Sequence, residues 1–385
     1  MTPGDGVRER WAMSPEARAL CLVTAVLATF GLVTLYGASA FVALQADLPS
    51  THYFARQGMG ALVGLAGFAV AAKVDAARLE RVAWALLLVT LALMLLTVLP
   101  FTTAIAPRVN GSRRFVMGTA VQPSELAKVA VVVWTAMLVV RKGEQMRRFT
   151  RGLLPFLVVL AILDVLAILQ PDLSVAMMLT LLTGIVLFAA EARLGHFLLL
   201  AVIGVPALWQ QVASRQYAMG RLLSFLGSAD APEVLNFQLR QSLIAVGSGG
   251  ALGRGFGQGM QQYGWVPFGY NDFIASAIGE EWGFAGLAAV VLAFAAYTWL
   301  GFRIARQARS RFLQLVAIGL TATTTITAYL HIGVVIGLLP TTGLTLPFVS
   351  YGRSNLVLTF VLTGILVNIG STRERVYGAG ATVVG

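Results

Sequence analysis

Long apolar segments recur along this chain and constrain its fold more than any other feature. Most of them reach the length of about 20 residues with which an α-helix crosses the hydrocarbon core of a bilayer. They lie at 19–45, 53–72, 82–105, 120–140, 153–170, 172–190, 195–213, 273–301, 312–338 and 342–369. Because backbone polar groups must be paired within lipid, such segments predict helices. The sequence therefore predicts an all-α, polytopic membrane protein with about ten transmembrane helices.

Composition and charge support this class and orient the chain. Hydrophobic residues make up 57% of the 385 residues and charged residues only 12%, whereas soluble domains carry about 25% charged residues. Most of the 28 Lys and Arg residues lie on the termini and the even-numbered connections. By the positive-inside rule, residues 1–18 and 371–385 are cytoplasmic tails around a transmembrane domain at 19–370. The net charge of +11 is explained by this topology and requires no nucleic acid partner.

Metal-binding and disulfide chemistry find little support in the sequence. Cys21 is the only cysteine, and His52, His196 and His331 are far apart. A Cys or His metal site and an internal disulfide are therefore not expected.

The connection between the seventh and eighth segments, residues 214–272, is a large outward-facing loop. Its stretch "VLNFQLRQSLIAVGSGG" alternates at helical spacing and ends in glycines, which predicts an amphipathic helix with a glycine stop. The glycine-dense tract at 247–259 does not match a nucleotide-binding pattern. By itself the tract predicts a flexible loop.

Polar residues recur at the outer end of the fourth span. Gln122, Glu125 and Lys128 are spaced by three, so they lie on adjoining parts of one helical face. One interpretation is a structural ion pair, because polar groups also join helices within membranes. The other is a functional site, since the arginines just before this helix depart from the positive-inside pattern.

Two further polar clusters fall at outward ends. Asp172 follows Gln170 and Pro171 between the fifth and sixth spans, where turn chemistry alone is sufficient to explain it. The stretch "GLLPTTGLTLPFVSYGRSN" carries two prolines and three glycines, so the helix must break there and line a cavity. Ser350, Tyr351 and Arg353 would offer donors inside that cavity.

Three carboxylates begin the eighth span. Eight or nine residues at 1.5 Å place Asp272 about 12 Å or more from Glu280 and Glu281, too far for a glycosidase pair. Glu280 and Glu281 are therefore interpreted as structural support. Asp272 is either a helix N-cap or a general base at the outer mouth.

These clusters, together with Arg240 in the outer loop, indicate one outward-facing cationic cavity. Guanidinium groups bind phosphate well, so such a cavity suits a lipid-linked anion. A single base is sufficient when a diphosphate leaves and cations balance its charge. The pattern therefore favours glycosyl transfer from a lipid diphosphate.

Between about residues 19 and 370 the chain resembles the SEDS family of bacterial membrane proteins (shape, elongation, division and sporulation). The resemblance rests on six motifs in this order: "NGSRRF", "QPSELAK", "QPD", "QSLIAVGSGG", "DFIASAIGEEWGF" and "GLLPTTGLTLPFVSYG". "GLTLPFVSYG" and "NGSRRF" with "VQPSELAK" are more similar to the division branch, FtsW, than to the elongation branch, RodA.

The resemblance implies a peptidoglycan glycosyltransferase that polymerises lipid II at the division septum of the cytoplasmic membrane. It implies that the aspartate matching Asp272 is essential and that Glu125 and Lys128 form a buried pair. Arg114, Arg240, Lys128 and Arg353 would hold phosphates, while Gln122, Asp172, Ser350 and Tyr351 would line the site. A class B penicillin-binding protein and other division proteins are the implied partners, and a divalent cation, Mg²⁺ or Mn²⁺, is left open.

Departures from the family pattern and rival functions stay open at this point. Tyr270 and Asn271 precede the aspartate where His-Thr is usual, Arg353 and Asn355 stand where Gly and Ser are usual, and Arg240 stands where Gln is common. A RodA-type elongation polymerase, a lipid II flippase and a non-catalytic scaffold for a transpeptidase are the alternatives. The apolar inner halves of most spans disfavour a transport path.

Overall fold

A computed structural model describes residues 8–107, 112–117, 121–192, 194–228, 230–260, 263–266 and 269–376. Asn110 and Gly111 of the first family motif, and parts of both predicted tails, lie outside these ranges. The main helices are α1 (Pro15–Gln45), α2 (His52–Lys73), α3 (Arg78–Val98), α4 (Pro123–Lys142), α5 (Leu154–Leu169), α6 (Leu173–Ala189), α7 (Leu194–Ala213), α8 (Gln216–Phe225), α9 (Glu233–Ser248), α10 (Ile274–Arg306), α11 (Arg311–Val335) and α12 (Arg353–Ile369).

Each of the ten predicted apolar segments overlaps one of these helices over most of its length. Seven helices are long and apolar enough to cross a membrane by length and composition: α1, α2, α3, α10 and α11, together with the helical stretches Pro123–Met146 and Phe149–Leu169 that contain α4 and α5. The helices α6 and α12 are shorter and apolar, and α7 spans 20 residues. The prediction of a helical, multi-pass membrane protein is confirmed.

Prolines shift several helix boundaries from their predicted places. Helix α3 ends at Val98, just before a short turn that starts at Pro100, and α4 begins at Pro123, because proline fits the first turn of a helix far better than its interior. The last predicted span began at residue 342, which is wrong. Residues 336–352 are almost entirely non-helical, and α12 begins only at Arg353.

Two helices form the centre of the bundle. In α4 and α11, 83% and 78% of the residues in the apolar 18-residue stretch of the helix are buried. In the other long helices the buried share of that stretch is 22–39%. Trp134 of α4 and Tyr297 of α10 are among the largest fully buried side chains. A central α4 brings its N-terminal end, with Glu125 and Lys128, to the middle of the face opposite the β1–β2 sheet.

The glycine tract at 247–259 is fixed to α10, so the flexible loop predicted from its composition is wrong. Helix α10 breaks at Gly283, whose φ is +65°, and the broken helical hydrogen bonds are replaced across the tract. The replacement bonds run from Arg254 N to Glu280 O (3.0 Å), Gly255 N to Glu281 O (3.0 Å), Phe284 N to Gly250 O (2.9 Å) and Ala285 N to Ala251 O (3.0 Å). Helix α9, as predicted, ends in the glycines that start this tract.

The segment at 336–352 is held by side chains from other helices. Gln57 of α2, only 1% exposed, donates to Ser350 O (2.9 Å) and accepts from Gly352 N (3.1 Å). Ser350 Oγ accepts from Leu346 N at 2.8 Å. Freed backbone groups are thus paired within protein, as a broken membrane helix requires.

Strand β1 (Arg8–Met13) pairs with strand β2 (Ser371–Val376) in an antiparallel ladder. The all-α prediction did not include this small sheet. Because this sheet joins the two ends of the described chain, those two ends lie on the same side of the bundle, as an even number of spans requires.

Candidate active site

Asp272 lies in the loop just before α10. The helix begins at Ile274 after Phe273, and no side chain caps it, so Asp272 does not serve as the N-cap that was one sequence-based alternative. The side chain is half-buried. Burial raises the pKa of Asp272, whereas the charges of Arg221 and Arg114 lower it and that of Asp172 raises it. These three residues are therefore its charged surroundings.

Arg221 of α8 faces Asp272 across Gly343. A Cβ built on Gly343 would lie 3.4 Å from Arg221 Nη2 and 3.6 Å from Asp272 Oδ2. Gly343 is exposed and has a φ of +73°, a backbone conformation that glycine adopts readily. The two charged groups thus line a gap that is open to the outer side and free of a side chain.

Arg114 and Asp172 clamp two outer loops together. Arg114 Nη1 lies 3.3 Å from Asp172 Oδ2, and its other nitrogens donate to Gln170 O (3.2 Å) and Pro171 O (2.7 Å). Asp172 also caps α6 by accepting from Val175 N at 3.3 Å. The residue is therefore both a turn residue, as its local sequence indicates, and a partner of the site arginine.

Glu125 and Lys128 form a buried ion pair beneath these loops. Lys128 Nζ lies 2.6 Å from Glu125 Oε1, and the two residues are 1% and 8% exposed. Asn355 Nδ2 of α12 donates to Glu125 Oε2 at 3.1 Å. The charges of both residues act on Asp172, so the pair is connected with the Arg114 clamp and thus with Asp272.

Three tyrosines line the side of the site next to α2. The rings of Tyr53, Tyr270 and Tyr351 have centroids 4.6–5.9 Å apart, and Tyr351 N donates to Tyr270 O at 3.0 Å. The charge of Asp272 acts on the Tyr270 hydroxyl. A tyrosine wall beside a carboxylate offers an apolar face and hydroxyl groups to a bound molecule.

The remaining predicted site residues have diverse surroundings. Gln122 donates to Ser124 Oγ at 3.1 Å before the start of α4, and Arg353 packs its stem against Gly60 of α2. Ser350 is 4% exposed and serves the backbone of its own segment. Arg240 is exposed on α9, and its charge is not among those that act on Asp272.

Glu280 and Glu281 lie at the break of α10, next to the glycine tract. Glu280 Oε1 accepts from Met260 N at 2.9 Å and lies 3.8 Å from Arg254 Nη1. The Glu281 carboxylate faces α1, where both its oxygens lie 3.4 Å from a Cβ built on Gly37. Both are 1–2% exposed and belong to the joint between α10, α1 and the tract.

Helix N-termini converge on this region. The helices α2, α4, α6, α10 and α12 all begin there, as the contacts of Gln57, Asn355, Arg114 and Asp272 with neighbouring elements show. Each helix start carries about half a positive charge and unpaired N–H groups. Together with Arg114, Arg221 and Lys128, they make this end of the bundle suitable for an anion.

The donor set does not fit a protein-held metal ion. In the part of the chain that the structure describes, no three His, Cys, Asp or Glu side chains are grouped closely enough to hold one. Asp172 is engaged by Arg114, and Glu125 by Lys128 and Asn355.

Sequence reasoning missed Arg221, Gln57, Tyr53 and Asn355 as members of this region. Arg221 and Arg240 both lie in the outer loop, and no local pattern distinguishes the arginine that points inward. Asn355 was noted only as a departure from the family pattern. Gln57, a lone amide in an apolar helix, was the one detectable feature, because such groups need a buried partner.

Comparisons with known proteins place the chain among cell cycle proteins. The family model for FtsW, RodA and SpoVE, described as "Cell cycle protein", matches residues 17–375. The probable peptidoglycan glycosyltransferase FtsW of Geobacter metallireducens is 36% identical over 358 residues, 92% of this chain and 94% of that protein. Stage V sporulation protein E of Bacillus subtilis is 34% identical, over 91% of this chain and 95% of that protein.

A solved structure shares the fold. It is described as "Structural coordination of polymerization and crosslinking by a peptidoglycan synthase complex". Its matching chain superimposes with a TM-score of 0.74 at 25% identity, covering 91% of this chain and 96% of that one.

Proposed function

Because the chain belongs to the FtsW/RodA/SpoVE family of cell cycle proteins, we propose that it is a peptidoglycan glycosyltransferase. Its substrate would be lipid II, the undecaprenyl-diphosphate-linked disaccharide peptide, and its product a glycan strand on the outer side of the membrane. Relatives named as peptidoglycan glycosyltransferases, which align over most of their own length, support this proposal.

The observation that carries the proposal is the setting of Asp272. It is the half-buried carboxylate that faces the open gap over Gly343. The other acids of the site are engaged: Asp172 with Arg114, and Glu125 with Lys128. A carboxylate in a site rich in positive charge, yet without a direct ion pair, is suited to accept a proton from substrate.

In the proposed reaction Asp272 removes the proton from the 4-hydroxyl of GlcNAc on the acceptor. The hydroxyl oxygen attacks C1 of MurNAc on the donor as the bond from C1 to the diphosphate oxygen breaks. Undecaprenyl diphosphate leaves with the bonding electron pair, the configuration at C1 inverts, and Asp272 passes its proton to water.

The diphosphate would leave toward the positive side of the site. Arg114 is held rigidly by Gln170 O, Pro171 O and Asp172, so it stabilises developing charge without reorganising. Lys128 is buried and paired, and contributes through the field around Asp172 rather than by direct contact. The helix N-termini add to the same field.

The partners and location follow from the same proposal. A class B penicillin-binding protein would crosslink the strand, in line with the synthase complex that shares the fold. We propose the cytoplasmic membrane at the division septum, with both termini in the cytoplasm.

Purified protein incubated with labelled lipid II and a class B penicillin-binding protein tests this function. Glycan polymer is the expected product, and it should persist when the transpeptidase active site of the partner is blocked. A flippase would instead move lipid II across vesicle membranes without polymer, and a scaffold would produce neither. Absence of polymer from folded complex would contradict the proposal.

A further inference from the structure

Arg221 is the charged residue whose setting the reaction above leaves unexplained. It lies on α8 in the large outer loop, yet its guanidinium reaches the segment before α12. Nη1 donates to Thr342 O at 3.1 Å, and Nη2 donates to Tyr217 OH at 2.8 Å. Ser174 of α6 donates to the same Thr342 O at 2.6 Å, so α6 and α8 are both tied to the residue next to Gly343.

The guanidinium is oriented rather than free. Its carbon lies 4.5 Å from the centroid of the Tyr217 ring, and Nε is buried without a hydrogen-bond partner in the structure. Because the planar fork is fixed by Thr342 O and Tyr217, its charge is held at one place. That place is the rim of the gap over Gly343.

Arg221 and Asp272 face each other across the gap without closing it. Each lies within 4 Å of the Cβ position of Gly343, and no ion pair joins them. A direct ion pair would occupy the carboxylate, whereas this separation leaves it accessible to a hydroxyl.

We infer that Arg221 is the positioning residue for Asp272, which holds that carboxylate ionised beside the gap that admits the acceptor hydroxyl. This inference rests on the proposed function and adds a residue that acts through the base. The other charged or titratable groups that face Asp272 are Arg114 from the loop before α4, Asp172 from the start of α6 and Tyr270 from its own loop.

The sign of the effect follows from the charges. Burial raises the pKa of Asp272, and the charge of Arg221 lowers this pKa more than any other charge does. Removing that charge raises the pKa further. A general base works only when ionised, so the acid limb of the rate profile should move to higher pH by about one unit or more.

The test is the pH profile of lipid II polymerisation by the full chain with its partner. Arg221→Gln should displace the acid limb upward and recover most of its rate above that limb. Arg221→Lys keeps the charge and should leave the limb in place. Arg215→Gln removes a positive charge at the start of the same helix that is not among those acting on Asp272, and it serves as the matched control.

Several outcomes would overturn the inference. A rate lowered equally at every pH in Arg221→Gln would indicate substrate binding or structure instead. An equal shift in Arg215→Gln would indicate a general field effect. Arg221→Met is the second neutral variant, and failure of both neutral variants to fold while Arg221→Lys folds would make the residue structural.

The same assay separates this inference from the function on which it rests. If Asp272→Asn makes no polymer and the pH profile of Arg221→Gln is unshifted, Asp272 remains the general base and only the positioning role of Arg221 is rejected. Polymer at the wild-type rate from Asp272→Asn would remove both.

Discussion

At the scale of single residues, the Glu125–Lys128 pair is a buried ion pair that lies within the candidate site. The pair is almost fully buried, and Asn355 satisfies the second carboxylate oxygen. Removing one partner of such a pair leaves an uncompensated charge, which costs more than the intact pair contributes. The structural and functional interpretations of the sequence are therefore compatible.

Lys128→Met should destabilise the protein by about 3–5 kcal/mol, because Glu125 remains buried and unpaired. The double variant Glu125→Gln/Lys128→Met removes both charges and should lose less. Unfolding in detergent, followed by circular dichroism, measures both. If Lys128→Met is as stable as the double variant, the Glu125 carboxylate is not trapped in a buried, unpaired state.

Arg221 and Arg240 of the outer loop show which site residues could be predicted from local sequence and which could not. Motif and charge identified Asp272, Arg114 and Lys128, because each stands in a region where polar groups are unexpected. They selected Arg240, which is exposed, rather than Arg221, which reaches the site. The choice between them depends on how α8 and α9 dock, which no spacing within the loop encodes.

At the scale of elements, the break of α10 and the glycine tract form one unit. The four replacement hydrogen bonds require close backbone approach, and a Cβ on Gly253 would lie only 2.2 Å from Glu281 O. The sequence shows many glycines but not their partner across the fold. The same composition is therefore consistent with a flexible loop and with this tightly packed joint.

Gly253→Ala should disrupt this joint. The φ of Gly253 is +83°, and a non-glycine residue in such a left-handed conformation costs roughly 1–2 kcal/mol. The collision of the Ala side chain with α10 adds to that cost. Gly257→Ala is the matched control, since Gly257 has a φ of +71° and no atom within 4 Å of its Cβ position.

Limited trypsin cleavage after Arg254 and the unfolding temperature are the two measurements of this effect. Gly253→Ala should be cut faster and melt lower than Gly257→Ala. Equal behaviour of the two variants would mean that the tract does not pack closely on α10.

At the scale of the whole molecule, the bundle directs five helix starts and three cationic side chains to one outer region. Hydropathy predicted the alternating direction of the spans. It therefore also predicted that these five helices begin on the same side of the bundle. Their lateral arrangement was not predictable, because it depends on close contacts such as those of Gln57 with Ser350 O and Gly352 N.

The pairing of β1 with β2 predicts that the two ends of the chain can be crosslinked. Ala12 faces Thr372 in the ladder, and facing residues have Cβ atoms about 4.5–5.5 Å apart. In a Cys21→Ser background, Ala12→Cys/Thr372→Cys should form an intramolecular disulfide on oxidation.

The control for this pair is Trp11→Cys/Thr372→Cys, because successive side chains of a strand point to opposite faces. Mobility on a non-reducing gel distinguishes the crosslinked form. Equal yield from the two pairs would contradict the register, and no crosslink in either would contradict the sheet.

In the proposed reaction one half-buried carboxylate, Asp272, carries out the chemistry in a site that binds substrate by other groups. Burial raises the pKa of Asp272 even with Arg221 beside it, so the ionised carboxylate that the reaction needs costs the folded state stability once the pH rises through the raised pKa. An amide at this position should therefore leave the protein at least as stable at neutral pH.

Lipid II binding and polymerisation measured on the same sample of Asp272→Asn test the claim most directly. We expect binding within about threefold of wild type and a rate lower by about 10²–10⁴, the range for loss of a general base. A folded Asp272→Asn protein that polymerises lipid II at the wild-type rate would contradict the account.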